Sequence, residues 1–310
     1  MAPIRPELCS ASDIPQEGVL AVVSFGGEAA GGDPLSLSVP IPQIGGSLVE
    51  VWRVEGAVIR ESRHEVEIAR TEEVLFGAFR AGGPSEEAAR KGYDSIVTAC
   101  REAGYPNLWR MWNHVGGINE DEGGLERYKR FSAGRHDALT RHGYAREQFP
   151  AASAVGMSEP GLLIYFIAGR RAGVQTENPR QVSAYDYPPQ YGPRSPSFSR
   201  ATAVPARLIF ISGTASVVGH ASWHAGSLVE QLEETIQNLE VTLRTAAEGV
   251  GREASLGDLA VAKIYIRGGV DHAPIEPRLR TAFPSALLLQ ADVCRRELLL
   301  EIEGVAVLSE

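Results

Sequence analysis

Cysteines and long apolar runs are both scarce in this chain. Its three cysteines among 310 residues, Cys9, Cys100 and Cys294, are far apart and odd in number, which gives neither a disulfide framework nor the close pairs of a zinc site. No apolar run approaches the roughly 20 residues of a membrane-spanning helix. Residues 1–17 lack the basic and then apolar pattern of a secretion signal. We therefore expect a cytoplasmic protein.

Motifs for nucleotide and metal binding are also missing. The sequence contains no P-loop, GxGxxG or HExxH pattern. Its formal net charge is −9, which disfavours a nucleic acid partner because binding to phosphates requires a basic surface. An anionic ligand would therefore need a locally basic pocket. His220 and His224 have helical spacing but lie in a loop before Ser227, and no third ligand accompanies them, so we expect no metal site.

The stretch 285–307 carries two apolar runs, which are separated by Arg295–Glu297. Short apolar runs of this kind predict buried strands. Glu301 and Glu303 lie in the second run and share one face, because alternate side chains of a strand point the same way. A buried carboxylate must be paired, protonated or functional. The alternative, which periodicity alone slightly favours, is an edge strand with one solvated face.

The remaining pattern predicts an α+β protein with mixed sheets that are backed by helices. Hydrophobic residues make up 44% and charged residues 22% of the chain, which is typical of a globular protein. Apolar residues at helical spacing predict helices over 85–103, 125–142 and from the capping box at Ser227 to Leu243. Residues 150–156 have the composition of a small-residue connection. Strands are predicted over 19–25, 35–41, 48–58, 68–79, 106–118, 162–168, 207–212 and 259–267.

Residues 169–205 contain six prolines, which exclude long helices. The segment also carries tyrosines and arginines, a combination that suits a packed loop facing a ligand. A proline-stiffened surface crossing is an equally good alternative. Taken from the residues alone, these observations support only an acid-catalysed, metal-free enzyme that acts on a small anion.

Several blocks of the sequence resemble the chorismatase family, which contains chorismate hydrolases and hydroxybenzoate synthases. The blocks occur in the order of the family, and the resemblance spans most of residues 48–307. They are Arg110–Asn113, Gly124–Tyr128, Gln181–Tyr185, Tyr191–Phe198, Phe210–Ser216, Gly219–His220, Cys294 and Leu300–Glu303.

From Ala206 onward the chain also resembles the trimeric RidA-like (YjgF-like) fold. The two resemblances imply an α+β chain of two related halves, a divergent RidA-like domain over 1–150 and a catalytic RidA-like domain over 151–310. The active site is expected in the C-terminal half, near the cleft between the domains. Two fused halves would satisfy each other's interfaces, so we expect a monomer, and we expect no cofactor.

The family resemblance implies chorismate as the substrate and Glu301 as the catalytic acid. The acid protonates the vinyl carbon of the enolpyruvyl ether, and the resulting oxocarbenium ion leads to release of pyruvate. A carboxylic acid donates a proton near neutral pH only if its surroundings raise its pKa. Arg267 and Arg194 are the candidate ligands of the substrate carboxylates. Tyr165 and Tyr191 are the candidate hydrogen-bond partners.

Product choice in the family follows two pocket positions, which are Ala215 and Cys294 in this chain. A cysteine resembles the hydroxybenzoate-forming members, whereas an alanine resembles the hydrolytic members. We expect 3-hydroxybenzoate and pyruvate, with hydrolysis to trans-3,4-dihydroxycyclohexa-1,5-diene carboxylate or formation of 4-hydroxybenzoate as alternatives. Cys294 could instead be a small core residue. On one regular strand Cys294 and Glu301 would face opposite sides, so the turn between them must redirect one of them.

A different class of function is a RidA-type deaminase of enamines or a binder of small carboxylates. In those proteins a carboxylate-binding arginine is expected near Ala286, and this chain lacks it. The deaminase interpretation is therefore disfavoured.

Overall fold

The computed structural model describes residues 4–27, 35–83 and 85–309. Within these ranges the chain forms three β-sheets, a two-stranded hairpin and four α-helices. The first sheet is built from the N-terminal residues in the order β1-β4-β2-β3. Its strands are β1 (Ile4–Ser10), β2 (Val19–Phe25), β3 (Leu35–Val39) and β4 (Leu48–Val54). The alternation over 48–58 predicted a half-exposed strand, but β4 is an inner strand and its Glu50 and Trp52 are fully buried.

The second sheet has six strands in the order β5-β6-β7-β10-β8-β9. Helices α1 and α2 follow β7 and β8 along the chain. The elements are β5 (Ile59–Arg63), β6 (Val66–Arg70), β7 (Val74–Ala81), α1 (Ser85–Ala103), β8 (Asn107–Gly116), α2 (Arg127–Arg141), β9 (Ala151–Met157) and β10 (Leu162–Gly169). The predicted strand 68–79 is therefore two strands, because a turn closed by the Thr71 N–H to the Val74 carbonyl at 2.9 Å divides it.

The third sheet repeats this arrangement with the order β11-β12-β13-β18-β16-β17. Helices α3 and α4 occupy the places of α1 and α2, and β14 and β15 form the hairpin. The elements are β11 (Val174–Thr176), β12 (Ala201–Val204), β13 (Leu208–Thr214), β14 (Val217–Val218), β15 (Ala221–Ser222), α3 (Leu228–Glu248), β16 (Leu259–Ile266), α4 (Glu276–Ala282), β17 (Leu287–Gln290) and β18 (Leu300–Val307).

The α+β class and the two related halves are thus confirmed by the strand order. The first half comprises β5 to β10 with α1 and α2, and the second half comprises β11 to β18 with α3 and α4. In each half one pair of strands is parallel, β8 with β9 and β16 with β17, and the other pairs of the six-stranded sheet are antiparallel. The division expected after residue 150 would separate β9 and β10 from their sheet, which ends at Gly169. The small side chains of 151–157 carry little β-propensity. Their strand depends on pairing with β8, which no local pattern announces.

The helices agree with the predicted periodicity. Helix α1 covers the predicted residues 85–103, and Gly104 follows it with φ +86°, a conformation that glycine adopts without strain. Helix α3 begins after Ser227, whose Oγ accepts a hydrogen bond from the Glu230 N–H. Leu232 and Ile236 on its apolar face pack against the third sheet. None of the helices in the described ranges is long and apolar enough to cross a membrane.

Strand β18 lies at the centre of the third sheet, between β13 and β16. Ile302 on one face packs under α3, whereas Val305 on the other face joins the core that all three sheets share. Glu301 and Glu303 are on this second face, and only 4% and 1% of their surfaces are exposed. The edge-strand alternative is therefore wrong, and both carboxylates are buried between the two halves.

Candidate active site

A cavity of about 270 Å³ opens where the two halves meet. The first half contributes residues around the start of α2, and the second contributes the end of β13, the start of β18 and the loop between β17 and β18. Segment 181–200 completes the wall. The lining residues are Glu126, Tyr128, Lys129, Gln181, Tyr187, Gln190, Tyr191, Pro196, Phe198, Arg200, Gly213, Ala215, Val217, Cys294, Arg295, Arg296, Glu297, Leu298 and Glu301.

The walls of this cavity differ in chemistry. One wall is aromatic and includes Tyr128, Tyr187 and Phe198. Another is aliphatic, because Ala215 and Leu298 belong to a small apolar cluster against which Cys294 packs. The proline-rich segment supplies much of the aromatic wall. Its interpretation as a ligand-facing loop therefore agrees with the structure better than that of a surface crossing.

Glu301 places its carboxylate in the cavity with little exposure to water. It lies against Gly213, where the absence of a side chain leaves it room. Burial, followed by the negative charge of Glu303, raises the pKa of Glu301 to about 8, and the positive charges of Arg110 and Arg200 oppose this rise. At neutral pH the side chain is therefore a carboxylic acid that can donate a proton.

Glu303 has the opposite environment although it is two residues away. Its carboxylate accepts hydrogen bonds from Arg110 Nη2 at 2.5 Å and Trp112 Nε1 at 2.8 Å, and Lys263 Nζ lies at 2.9 Å. Burial by itself would raise the pKa of Glu303, but Lys263 and Arg110 outweigh it and lower the pKa to about 2. Glu303 is therefore ionised throughout the physiological range.

Cys294 lies in the loop between β17 and β18, and its Sγ is 4.0 Å from Oε2 of Glu301. Residue Val293 forms an antiparallel bridge with Val155 of β9, so the loop follows the first half rather than continuing β17. This course brings Cys294 and Glu301 to the same cavity, as the sequence required if both were to line it. Burial, and then the nearby Glu301, raises the pKa of Cys294 to about 12, so the group is a neutral thiol.

Three arginines that were not assigned as substrate ligands from the sequence line the cavity, namely Arg200, Arg295 and Arg296. Arg200 donates from Nη2 to the Tyr187 hydroxyl at 2.7 Å and to the Val182 carbonyl at 3.1 Å. The guanidinium of Arg295 lies 4.1 Å from the centre of the Tyr191 ring. Arg200 belongs to the aromatic and arginine-rich segment, and Arg295 and Arg296 directly follow Cys294. These positions are the only signals in the sequence that could have identified them.

Of the four predicted substrate-binding residues, the structure brings Tyr191 alone to the cavity wall. Arg194 has a side chain that is 57% exposed and an ion pair with Asp137 at 3.5 Å. Tyr165 is fully buried, and its hydroxyl accepts a hydrogen bond from Lys263 Nζ at 2.8 Å. Both therefore lie outside the cavity.

Arg267 also lies outside the cavity and holds the Cys294 loop from behind. It donates to the Leu298 carbonyl at 2.9 Å, to the Asn119 amide oxygen at 3.0 Å and to Asp292 Oδ1 at 2.7 Å. These bonds occupy the guanidinium with the loop and with the first half. Arg267 is therefore placed to support the site rather than to contact a ligand.

The two histidines of the 220–224 loop are used in local contacts. His220 Nδ1 lies 3.2 Å from the Tyr191 hydroxyl, and His224 Nε2 lies 3.4 Å from a carboxylate oxygen of Glu234. Across the described ranges, no three side chains of His, Cys, Asp or Glu are grouped as metal ligands would be.

Comparison with known proteins identifies the family. Residues 50–168 match the family model described as Chorismatase FkbO/Hyg5-like, N-terminal. The 3-hydroxybenzoate synthase of Streptomyces hygroscopicus is 39% identical over 275 residues, which are 83% of this chain and 81% of that protein. The chain belongs to the chorismatase family. A solved chorismatase structure aligns with this chain over 98% of both chains, with a TM-score of 0.88 and 29% identity, so the two share one fold over nearly their full lengths.

This chain also shows partial similarity to solved structures of the YjgF family. A YjgF/YER057c/UK114 family member from Mycobacterium tuberculosis aligns with 36% of this chain and 86% of its own, with a TM-score of 0.27. The two halves are related by their identical strand orders.

Proposed function

We propose that this chorismatase converts chorismate into 3-hydroxybenzoate and pyruvate. The observation that carries the proposal is Glu301, a carboxylic acid kept protonated by burial at the wall of a cavity that a neutral thiol and three arginines also line. The relative that is 39% identical to this chain over most of both lengths is named 3-hydroxybenzoate synthase. Supply of a proton to an electron-rich double bond is the chemistry that such an acid suits.

Chorismate carries two carboxylates, and three arginines line the cavity, of which Arg296 donates a hydrogen bond to the Asn119 carbonyl. Arg200 and Arg295 lie on its wall, and each can bind a carboxylate through paired hydrogen bonds. The hydrogen bonds that Arg200 makes to Tyr187 and Val182 fix its orientation before a substrate arrives. We therefore assign these two arginines, rather than Arg267 and Arg194, to binding of the carboxylates.

The reaction begins when Glu301 transfers its proton to the methylene carbon of the enolpyruvyl group. The carbon–carbon double bond becomes a methyl group and an oxocarbenium ion, and the Glu301 carboxylate stabilises the positive charge. The ring hydroxyl adds to the cation and returns its proton to the Glu301 carboxylate, which gives a cyclic ketal. The bond between C4 of the ring and its oxygen then breaks, pyruvate leaves with that oxygen, and the ring loses its C3 proton while the oxygen left on C3 gains one, which gives the aromatic product. The elements of chorismate equal those of 3-hydroxybenzoate plus pyruvate, so no water is consumed. We assign the relay of a proton during the rearrangement to the thiol of Cys294, which lies 4.0 Å from Glu301.

A second candidate is hydrolysis to the cyclohexadiene diol carboxylate, and Ala215 favours it. Ala215 lines the cavity and resembles the residue of the hydrolytic members. In that reaction water, instead of the ring hydroxyl, adds to the oxocarbenium ion. Formation of 4-hydroxybenzoate is a third outcome of the same protonation step.

Incubation of the protein with chorismate in D2O tests the proposal. We expect release of pyruvate with one deuterium in its methyl group, and 3-hydroxybenzoate as the aromatic product by chromatography. Glu301→Gln should lower turnover by about 100-fold or more without loss of folding, whereas Glu276→Gln on the surface should behave as the parent enzyme. Absence of pyruvate would reject the proposal, and a diol or 4-hydroxybenzoate would select one of the alternatives.

A further inference from the structure

Two carboxylates on the same face of β18 have unequal shares of hydrogen-bond donors. Glu303 is contacted by Arg110 and Lys263, and by donors from Ser153, Trp112 and Tyr265. For Glu301, by contrast, the one side-chain donor within reach among the described residues is the thiol of Cys294. The donors of Arg110, Lys263 and Trp112 that reach this face of β18 are thus directed to the carboxylate that does not line the cavity.

We propose that Glu303 is a positioning residue for the reaction: its permanently charged carboxylate, held by Arg110 and Lys263, keeps Glu301 in the acid form that donates the proton. The inference rests on the proposed role of Glu301. Glu303 is not among the residues that line the cavity, so it acts through Glu301 and not through the substrate.

The physical reason is the repulsion between two like charges that share a buried site. When two carboxylates lie close together in a poorly solvated region, ionisation of one disfavours ionisation of the other. Glu303 keeps its charge because the charged donors of Arg110 and Lys263 compensate it. The next carboxylate on the same face therefore retains its proton. Burial makes this effect larger than it would be in water.

Other charged and titratable groups lie near Glu301 on the neighbouring strands and loops. Arg110 of β8 and Arg200 of the proline-rich segment favour its ionised form, but each has a smaller influence than Glu303 has in the opposite direction. Tyr128, Tyr265 and Cys294 are neutral, because burial, as the largest cause, raises the pKa of each of them. The charge of Glu303 is therefore the main electrostatic contribution to the protonation of Glu301 beyond burial.

The network continues away from the site and offers a matched control. Lys263 Nζ lies 2.7 Å from Oε2 of Glu50 in β4, and Glu50 also accepts a hydrogen bond from Trp52 at 2.7 Å. Glu50 is as fully buried as Glu303, but Lys263 stands between it and β18. Loss of its charge should destabilise the fold in a similar way and yet have little effect on Glu301.

The test measures the protonation of Glu301 without substrate. The free energy of unfolding in urea is determined between pH 5 and 9 for the parent enzyme and for Glu301→Gln. Because the folded state holds a proton that the unfolded chain releases, the parent loses stability relative to the variant as the pH rises, until the folded-state pKa is passed. The pH at which this difference becomes constant marks that pKa. The comparison is then repeated in the Glu303→Gln and Glu50→Gln backgrounds.

We expect the plateau to begin near pH 8 in the parent and in Glu50→Gln, and roughly one pH unit lower in Glu303→Gln. The alkaline limb of kcat/KM for pyruvate release should move by the same amount. An unmoved plateau in Glu303→Gln, or an equal shift in Glu50→Gln, would overturn the inference. If Glu303→Gln does not fold, the double variant Glu303→Gln/Lys263→Met removes a matched pair of charges and should lower the plateau in the same direction.

The two proposals can fail separately. A lower plateau in Glu303→Gln together with no release of pyruvate from chorismate by the parent would uphold the coupling and reject the proposed function. Release of pyruvate with an unmoved plateau and an unmoved alkaline limb would do the reverse.

Discussion

Gly213 leaves the space that the carboxylate of Glu301 occupies, because a Cβ atom built on Gly213 would lie 1.9 Å from Oε1 of Glu301. Gly213 is in β13 and Glu301 in the adjacent strand β18, and Ser153 Oγ would be 3.2 Å from the same Cβ. The glycine is required here by a close approach rather than by its backbone conformation. The absence of a side chain at Gly213 therefore determines where the carboxyl group of Glu301 can lie.

Gly213→Ala should therefore displace Glu301 and lower kcat/KM for pyruvate release. A misplacement of about 1 Å reduces catalysis on the order of 100-fold. Steady-state kinetics with chorismate checks this expectation, together with circular dichroism to confirm folding. Gly257→Ala is a suitable control, since its nearest contact would be an ordinary 3.5 Å to Ser255 Oγ. Parent-like kinetics in a folded Gly213→Ala enzyme would argue against Glu301 as the acid.

The pH dependence of catalysis should follow Glu301. Its pKa is raised to about 8, so the acid form is complete at lower pH and is lost as the pH rises through this value. We expect kcat/KM to fall about tenfold per pH unit above pH 8. The limb in kcat should lie at higher pH, because the negative charge of bound chorismate further favours the protonated form.

Cys294 cannot produce that limb, since its pKa is raised to about 12. The measurement is a pH–rate profile of pyruvate release in buffers of constant ionic strength. A rate that continues to rise between pH 8 and 9 would contradict the assignment of a protonated carboxylic acid as the donor.

Cys294→Val should change the product more than the rate. Valine is similar in size to cysteine but has no proton to exchange, so the rearrangement should lose its relay and the diol should increase relative to 3-hydroxybenzoate. Chromatographic quantification of both products checks this ratio. Cys100→Val, at a cysteine buried in the core of the first half, is the control and should leave the ratio as it is. An unchanged ratio in Cys294→Val would reduce this residue to a packing role.

Replacement of individual arginines should show whether the substrate carboxylates bind to the arginines that line the cavity or to those expected from the family resemblance. Arg200→Lys keeps a positive charge but removes the planar pair of donors, and we expect KM for chorismate to rise by about 10- to 100-fold. Arg194→Ala, which changes an exposed residue paired with Asp137, should not alter KM. The opposite pattern in steady-state kinetics would return the carboxylate-binding role to Arg194.

Sequence periodicity was sufficient for several elements. The predicted helix 85–103 is present with the same ends, and the capping box at Ser227 begins α3. These elements carry their signals within a few residues, namely apolar side chains at helical spacing and residues that satisfy free backbone groups at the ends. In contrast, β9 was interpreted as a connection, since its alanines and serines become a strand only by pairing with β8.

The site was predictable only in part. The expected positions Glu301, Cys294, Ala215 and Tyr191 all line one cavity. Arg267 has the charge that a carboxylate ligand needs, but its neighbours in space use its donors to hold a loop. The sequence shows which side chains carry hydrogen-bond donors, but it does not show which acceptors those donors contact in the folded chain.

The sequence by itself determined the α+β class, the order of most strands and helices, and the presence of two glutamates on one face of the last strand, because these depend on residues that are neighbours along the chain. The tertiary structure alone decided which glutamate keeps its proton. Arg110 reaches Glu303 from β8 of the other half, and Lys263 reaches it from the neighbouring strand β16. The resulting difference between two otherwise similar carboxyl groups follows from burial and charge, which exist only once the two halves have packed together.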